Sequence, residues 1–214
     1  MSLGNTETAK LLKTVAPLID QVSGRFYSSW GSPDCTNVLL TSLFKRVYLR
    51  KICVLFCGKI AYAFLEDQIN NAPFLRYVKI DGRSWPKSTL DLLAKFCSKG
   101  RPGNRADASV FCDDLIIDSS FMQHLLDLWK TNENPNFRFR SFQSILNEEY
   151  RAVVKNYKVF EMRNGSRKTF FKHPTAKSIA RVSNVDFSMD IFTCECDRFE
   201  KCLLKKRYPK FHDF

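Results

Sequence analysis

FLRYVKIDGRSWPKSTLDLLAKFCSKG, residues 74–100, decides the fold. Residues 75–80 form a short run rich in strand formers, a turn follows, and Pro86 suits the opening of a helix because that position needs no amide donor. Leu90, Leu92, Leu93 and Phe96 then supply a buried helical face, and Gly100 closes the helix. The same order recurs downstream. Residues 110–117 read as a strand, Asp118 or Ser119 as a helix cap, and Phe121, Leu125, Leu128 and Trp129 as one apolar face. Residues 137–142 supply a third strand and residues 145–154 a following helix. Strand, helix, strand, helix, strand implies right-handed crossovers and a locally parallel sheet. Leucine-rich repeats are built from such units, but the strand centres near Val78, Leu115 and Phe139 are unevenly spaced, so the pattern is an irregular leucine-rich-repeat-like one. The expected fold class is α/β, with α+β as the alternative.

Working outward, a short helix is expected around residues 8–15 and a second from Pro17, where Leu18, Ile19, Val22 and Phe26 repeat at helical spacing. Gly24 weakens that helix, and Trp30-Gly31-Ser32-Pro33 ends it in a loop. Residues 38–44 predict a helix capped by Thr36 or Asn37, residues 46–56 favour a strand, and residues 60–69 fit either. Toward the C-terminus, residues 158–162 and 168–171 flank Asn164-Gly165, a strong hairpin signal. Two more strands are expected at residues 178–182 and 189–194, then a short helix around residues 199–205. The expected organisation is an N-terminal helical element over residues 1–44, a repeat-like α/β region over 45–156 and a C-terminal β-rich region over 157–214, packed as one body with 45–156.

The chain has 214 residues, 44% apolar and 14% aromatic, with 8 Gly and 8 Pro, so it is long and apolar enough to fold around a core. The most apolar stretch, residues 52–65, is short and interrupted by Lys59, which excludes a membrane span there. Residues 1–13 lack the pattern of a secretory signal, and Cys53, Cys57, Cys97 and Cys112 sit in apolar segments as reduced thiols, so an intracellular protein, cytoplasmic or nuclear, is expected. Net charge is +12, a field that favours nucleic acid, anionic lipid or an acidic protein surface.

Cys194-x-Cys196-x5-Cys202, followed by His212, offers three thiolates and an imidazole, the donor set of a tetrahedral zinc site. Cys194 and Cys196 share a face if the strand continues through them, which suits chelation but also two packed thiols; packed thiols with no cofactor are the expectation, structural zinc the alternative and a disulfide the last. His124, His173 and His212 belong to no nucleophile motif, so no enzymatic site is expected. Asp113 and Asp114, as adjacent strand residues, point to opposite faces and do not share a metal. Gly100-Arg-Pro-Gly103 is a basic turn lacking the order of a phosphate-binding loop. Arg138 and Arg140 alternate with Phe137 and Phe139, which sends guanidinium groups to one sheet face and rings to the other; buried rings weigh against base stacking. On a parallel sheet with one uncovered face, Arg76, Lys79, Arg138 and Arg140 are the expected exposed contacts for an acidic partner.

Four stretches also carry a family resemblance: residues 74–86; Phe121 to Lys130 with Leu128-Trp129-Lys130; His173-Pro174-Thr175; and Cys194 to Cys202 with the closing Phe211-His-Asp-Phe214. Over about residues 74–214 the chain resembles an expanded group of nematode proteins with F-box-associated or F-box-like architecture. The resemblance implies an interaction protein in which an F-box docks on a Skp1-type adaptor of a ubiquitin ligase and the repeat-like portion holds a substrate. Residues 15–22 are similar to the start of an F-box. The expected function is a non-catalytic protein–protein interaction module, the substrate-recognition part of an F-box-like adaptor; the alternative is a basic RNA- or DNA-binding protein.

Overall fold

Asn5–Val15 forms the first helix, α1, in the computed structural model of the chain, which describes residues 5–28, 32–132, 135–143, 146–155, 157–162, 165–198 and 202–212. The fold is α/β, and the chain divides into two compact units, Met1–Leu92 with Val110–Leu115 and Leu93–Ser109 with Ile116–Phe214.

In the first unit, the helix expected from Pro17 does not form beyond a single 3-10 turn at Ala16–Leu18. Asp20 is the cause. Its carboxylate accepts the Val22 amide at 3.0 Å, the Ser23 amide at 3.1 Å and the Ser23 hydroxyl at 2.6 Å, local bonds that compete with a helix. The Gly24 amide closes the turn on the Asp20 carbonyl at 2.7 Å, and a Cβ on Gly24 would meet that oxygen at 2.6 Å. The chain then enters β1, Arg25–Tyr27, with Phe26 packed on Phe64.

Helix α2, Pro33–Leu43, is capped by Ser32, whose hydroxyl accepts from the Cys35 amide; this corrects the expected caps at Thr36 or Asn37, which lie inside the helix. Trp30 and Gly31 lie outside the described residues. Strand β2 is Lys51–Leu55, shorter than expected, because Lys45 turns the chain with φ 56° and residues 46–50 do not pair as a strand. Lys59–Asn71 is helix α3, which resolves the ambiguous stretch. Its buried Gln68 bridges the segment ahead of β2, donating to the Val47 carbonyl at 2.6 Å and accepting from the Leu49 amide at 3.0 Å.

Strand β3 is Tyr77–Asp81, and β1, β2 and β3 run parallel, with Phe26 beside Ile52 and Ile52 beside Val78. The turn after β3 uses Gly82 at φ +91°, a conformation that favours glycine. Trp85 folds back so that its indole N–H donates to the Asp81 carbonyl at 2.9 Å.

Helix α4, Ser88–Ser98, crosses the division between the units. Gly100 ends it, and a Cβ there would lie 2.1 Å from the Asn136 carbonyl oxygen. Arg101 and Asn104 bond each other across the basic turn and start β4 early, at Ala106–Phe111 instead of residues 110–117. Asp113 and Asp114 therefore sit in bends beyond the strand, and the opposite-face argument made for them fails. Asp114 accepts the Ser84 amide and Asp113 pairs with Arg83 at 3.8 Å.

The second unit continues with α5, Ser119–Thr131, where Asp118 caps by accepting the Phe121 amide at 2.8 Å. Strand β5 (Phe137–Ser141), helix α6 (Asn147–Val154) and strands β6 (Val159–Glu161), β7 (Arg167–Lys172), β8 (Ser178–Ser183) and β9 (Ser188–Thr193) follow. The strands pair antiparallel in the order β5-β9-β8-β7-β6. Asn164 of the hairpin signal and Ile145 of the expected helix lie outside the described residues. Last comes α7, Leu203–Arg207, later than residues 199–205 because Cys202 is its cap, with a 3-10 turn at Pro209–Phe211. Phe199 lies outside the described residues.

Alternation gives this antiparallel sheet two distinct faces. One is apolar and faces α5 and α6: Phe139 packs edge-on to Phe121 at 5.1 Å, and Tyr150 bonds Thr169 at 2.7 Å. The other carries Arg138 and Arg140 on β5, Arg181 on β8, Asp190 on β9 and, further along, Ile179 and Phe192. The segment through α7 packs on Ile179 and Phe192, adding Leu204, Tyr208 and Phe211 to a small core.

Candidate metal centre

At the end of β9 the Thr193 hydroxyl donates to the Pro135 carbonyl at 2.6 Å, and the chain then leaves the sheet. Cys194 and Cys196 are thus in a loop and not on a continuing strand face, a correction to the expected geometry. Cys202, the cap of α7, lies beside Cys194, and the C-terminal 3-10 turn delivers His212 to the same point.

Nε2 of His212 lies 3.4 Å from Cys194 Sγ and 3.1 Å from Cys196 Sγ, while Cys202 Sγ is 4.0 Å from Cys194 Sγ. All four donor atoms lie within 4.8 Å of one another, so the group can hold a metal ion. Tetrahedral zinc, with Zn–S of about 2.3 Å and Zn–N of about 2.0 Å, requires S to S separations of about 3.8 Å and S to N separations of about 3.5 Å. The donors therefore need shifts of only a few tenths of an ångström for these three pairs. A disulfide needs its sulfurs at about 2.05 Å, far from the 4.0 Å separation of Cys194 and Cys202.

The surroundings suit a thiolate at Cys202. The amides of Glu195 and Lys205 both donate to Cys202 Sγ at 3.5 Å. Burial opposes ionisation of Cys202, yet these two amides hold its pKa below the ordinary thiol value. The Cys196 thiol is pushed up to about 11, first by its hydrogen bond with Cys194. A bound cation replaces the shared thiol protons with its own charge. Glu195 adds an outer tie, accepting from the Gly103 amide at 2.9 Å and from Asn136 Nδ2 at 3.2 Å.

Three of the remaining cysteines and one histidine are buried, while Cys35 and His124 are exposed. Burial raises the pKa of the Cys97 and Cys112 thiols, and Cys53 is equally buried, while Cys57 is half-buried. His173 is buried, with Nδ1 accepting the Thr175 and Ala176 amides at 3.1 and 2.8 Å. Its proton is therefore on Nε2, which donates to the Trp129 carbonyl at 3.2 Å. The Trp129 indole donates in turn to Ser178 at 3.0 Å. His124 is exposed on α5.

The four basic residues expected as exposed contacts are all half-buried, which corrects that exposure. In the first unit, Lys79 lies over the Phe111 ring at 3.7 Å and pairs with Asp81 at 3.2 Å, while the Arg76 backbone amide donates to the Arg50 carbonyl. In the second, Arg138 and Arg140 are held by Asp107 and Asp190. These two acids, with Arg105 and Arg181, escaped sequence analysis. The available signal was Asp190 itself, a charged residue inside an otherwise apolar strand pattern, SMDIFT.

No family model and no characterised protein matches the chain. Among the described residues, no helix is long and apolar enough to cross a membrane.

Proposed function

We propose that the chain is a non-catalytic protein-binding module whose C-terminal segment is fastened by a zinc ion on Cys194, Cys196, Cys202 and His212. The observation that carries the metal part of this reading is the convergence of three sulfur donors and one imidazole nitrogen within 4.8 Å. Catalytic zinc keeps a coordination position open for water or substrate; a set of three thiolates and one imidazole fills all four and leaves a structural ion. Zinc would join the end of β9 to the segment after α7, reinforcing an apolar contact made by few side chains. Metal-bound thiolates need a reducing setting, which fits an intracellular location.

Nucleic-acid binding is the second reading, favoured by the +12 charge. Phe137 and Phe139 are fully buried, so their rings are not available to stack on bases, and the protein-binding reading is the better supported.

Titration with cobalt(II) tests the site. The expected result is the intense absorption of tetrahedral thiolate-bound cobalt, saturating at one ion per chain and displaced by zinc. Absence of that spectrum in folded, reduced protein would contradict the reading.

A further inference from the structure

Among the described residues, the polar face of the second unit brings more guanidinium groups than carboxylates into its ion-pair network. The register sets Arg138 and Arg181 on either side of Asp190. Asp190 is 1% exposed and accepts from Arg138 Nε at 2.6 Å, from Arg105 Nη2 at 2.8 Å and from Arg181 Nη2. Asp107 accepts from Arg138 Nη1 at 3.4 Å and from Arg140 Nη2 at 3.3 Å. One connected set thus joins four guanidinium groups to two carboxylates.

Two further observations bear on this network. Among the described residues, the buried Nε atoms of Arg105, Arg140 and Arg181 have no hydrogen-bond partner, a costly state for a donor. Burial first, and then repulsion from Arg138, lower the pKa of Arg105 even though Asp190 touches it. The cations are also within reach. The C-terminal segment covers Phe192, but the side chains of Arg138 and Arg140 remain 24% and 40% exposed.

We propose that Arg138 and Arg140 anchor a carboxylate-rich segment of a partner protein, whose charge complements the guanidinium excess among the described residues of this face. The inference rests on the protein-binding reading above and names the chemistry of the partner. The planar guanidinium fork matches carboxylate, and Asp107 occupies only one N–H of each side chain. A nucleic-acid strand would also seek aromatic platforms on this face, but Phe192 is 2% exposed and covered by Tyr208.

The test is fluorescence anisotropy with a labelled poly-glutamate peptide at physiological salt, using the full chain. Arg140→Gln, which gives up only its bond to Asp107, should weaken binding about tenfold, the size of one charge-assisted contact. Lys13→Gln on exposed α1 removes the same charge and should change binding less than about twofold, as unspecific attraction would. Asp107→Asn should act in the opposite sense and tighten binding, which separates the proposal from simple loss of folding. Equal weakening by Arg140→Gln and Lys13→Gln would overturn the face, and so would tighter binding of an oligo-dT strand than of the peptide with the same Arg140 dependence. Failure of wild-type protein to bind the peptide would overturn the acidic partner. Capture of a folded protein partner that does not depend on Arg140 would leave the protein-binding reading standing and overturn only this face.

Discussion

Arg181 donates from Nη1 to the Tyr208 hydroxyl at 2.8 Å, linking the segment that delivers His212 to the carboxylate of Asp190. The donor cluster and the arginine face are therefore joined through one phenol, and Tyr208 also packs on Phe192 and Phe170.

Tyr208→Phe keeps the ring packing and removes the bond. It should cost about 1.5–3 kcal/mol in urea unfolding of metal-loaded protein, the range for a hydrogen bond to a charged group. If the metal holds the segment in place, the cost should shrink after chelation. An equal cost with and without chelator would mean that the segment stays docked by its apolar contacts alone.

Asp190 sets an acid limit on stability. Burial raises its pKa, but Arg181, Arg138 and Arg105 outweigh burial and hold it below the ordinary carboxylate value. A depressed folded-state pKa gives stability that is present above the unfolded value, near 3.8, and lost as pH falls through the folded one. Asp190→Asn should cost about 3–5 kcal/mol at neutral pH, because it removes the buried carboxylate that three guanidinium groups share. The variant should also lose the corresponding part of the acid dependence below pH 4. Thermal melts of both proteins across pH 2–7 measure this, and parallel curves would refute it.

His173 is a turn cap, and its substitution should act on stability. His173→Ala leaves the Thr175 and Ala176 amides and the Trp129 carbonyl without their partner, which should cost about 1–3 kcal/mol. His173→Asn retains a short acceptor for the amides and should recover part of that loss. Chemical denaturation of the three proteins decides it, and no difference between Ala and Asn would remove the capping role.

Gly100→Ala should destabilise the second unit severely. The new Cβ would meet the Asn136 carbonyl oxygen at 2.1 Å, a backbone atom that a rotamer change cannot move. A melting temperature within a degree or two of wild type would show that the helix end can shift at small cost.

What the sequence makes legible is what local chemistry controls. Helix α5 is readable because Asp118 caps it and Phe121, Leu125 and Trp129 recur on one buried face. The four clustered donors are readable because three cysteines and a histidine stand close together in the chain. The missing helix at Pro17 shows where periodicity misleads: Leu18, Ile19, Val22 and Phe26 have helical spacing, but the Asp20 carboxylate takes the amides first. Strand β4 is misplaced by the same confidence in apolar runs, since Leu115 and Ile117 are buried outside the strand that Ala106, Ala108 and Val110 form. The arginine face could not be read locally. Arg105, Arg138, Arg181 and Asp190 meet through strand register across distant parts of the chain, and no spacing rule encodes that meeting.

Metal content tests the central claim most directly. Protein purified without chelator should carry close to one zinc per chain by emission spectrometry, and Cys196→Ser should lose it. Cys196 is exposed, so its substitution alone should cost no more than about 0.5 kcal/mol; a larger fall in thermal stability, absent when wild type and variant are compared in chelator, reports the ion. Folded wild-type protein that holds no zinc, takes up none when it is added under reducing conditions and melts at the same temperature as Cys196→Ser would contradict the account.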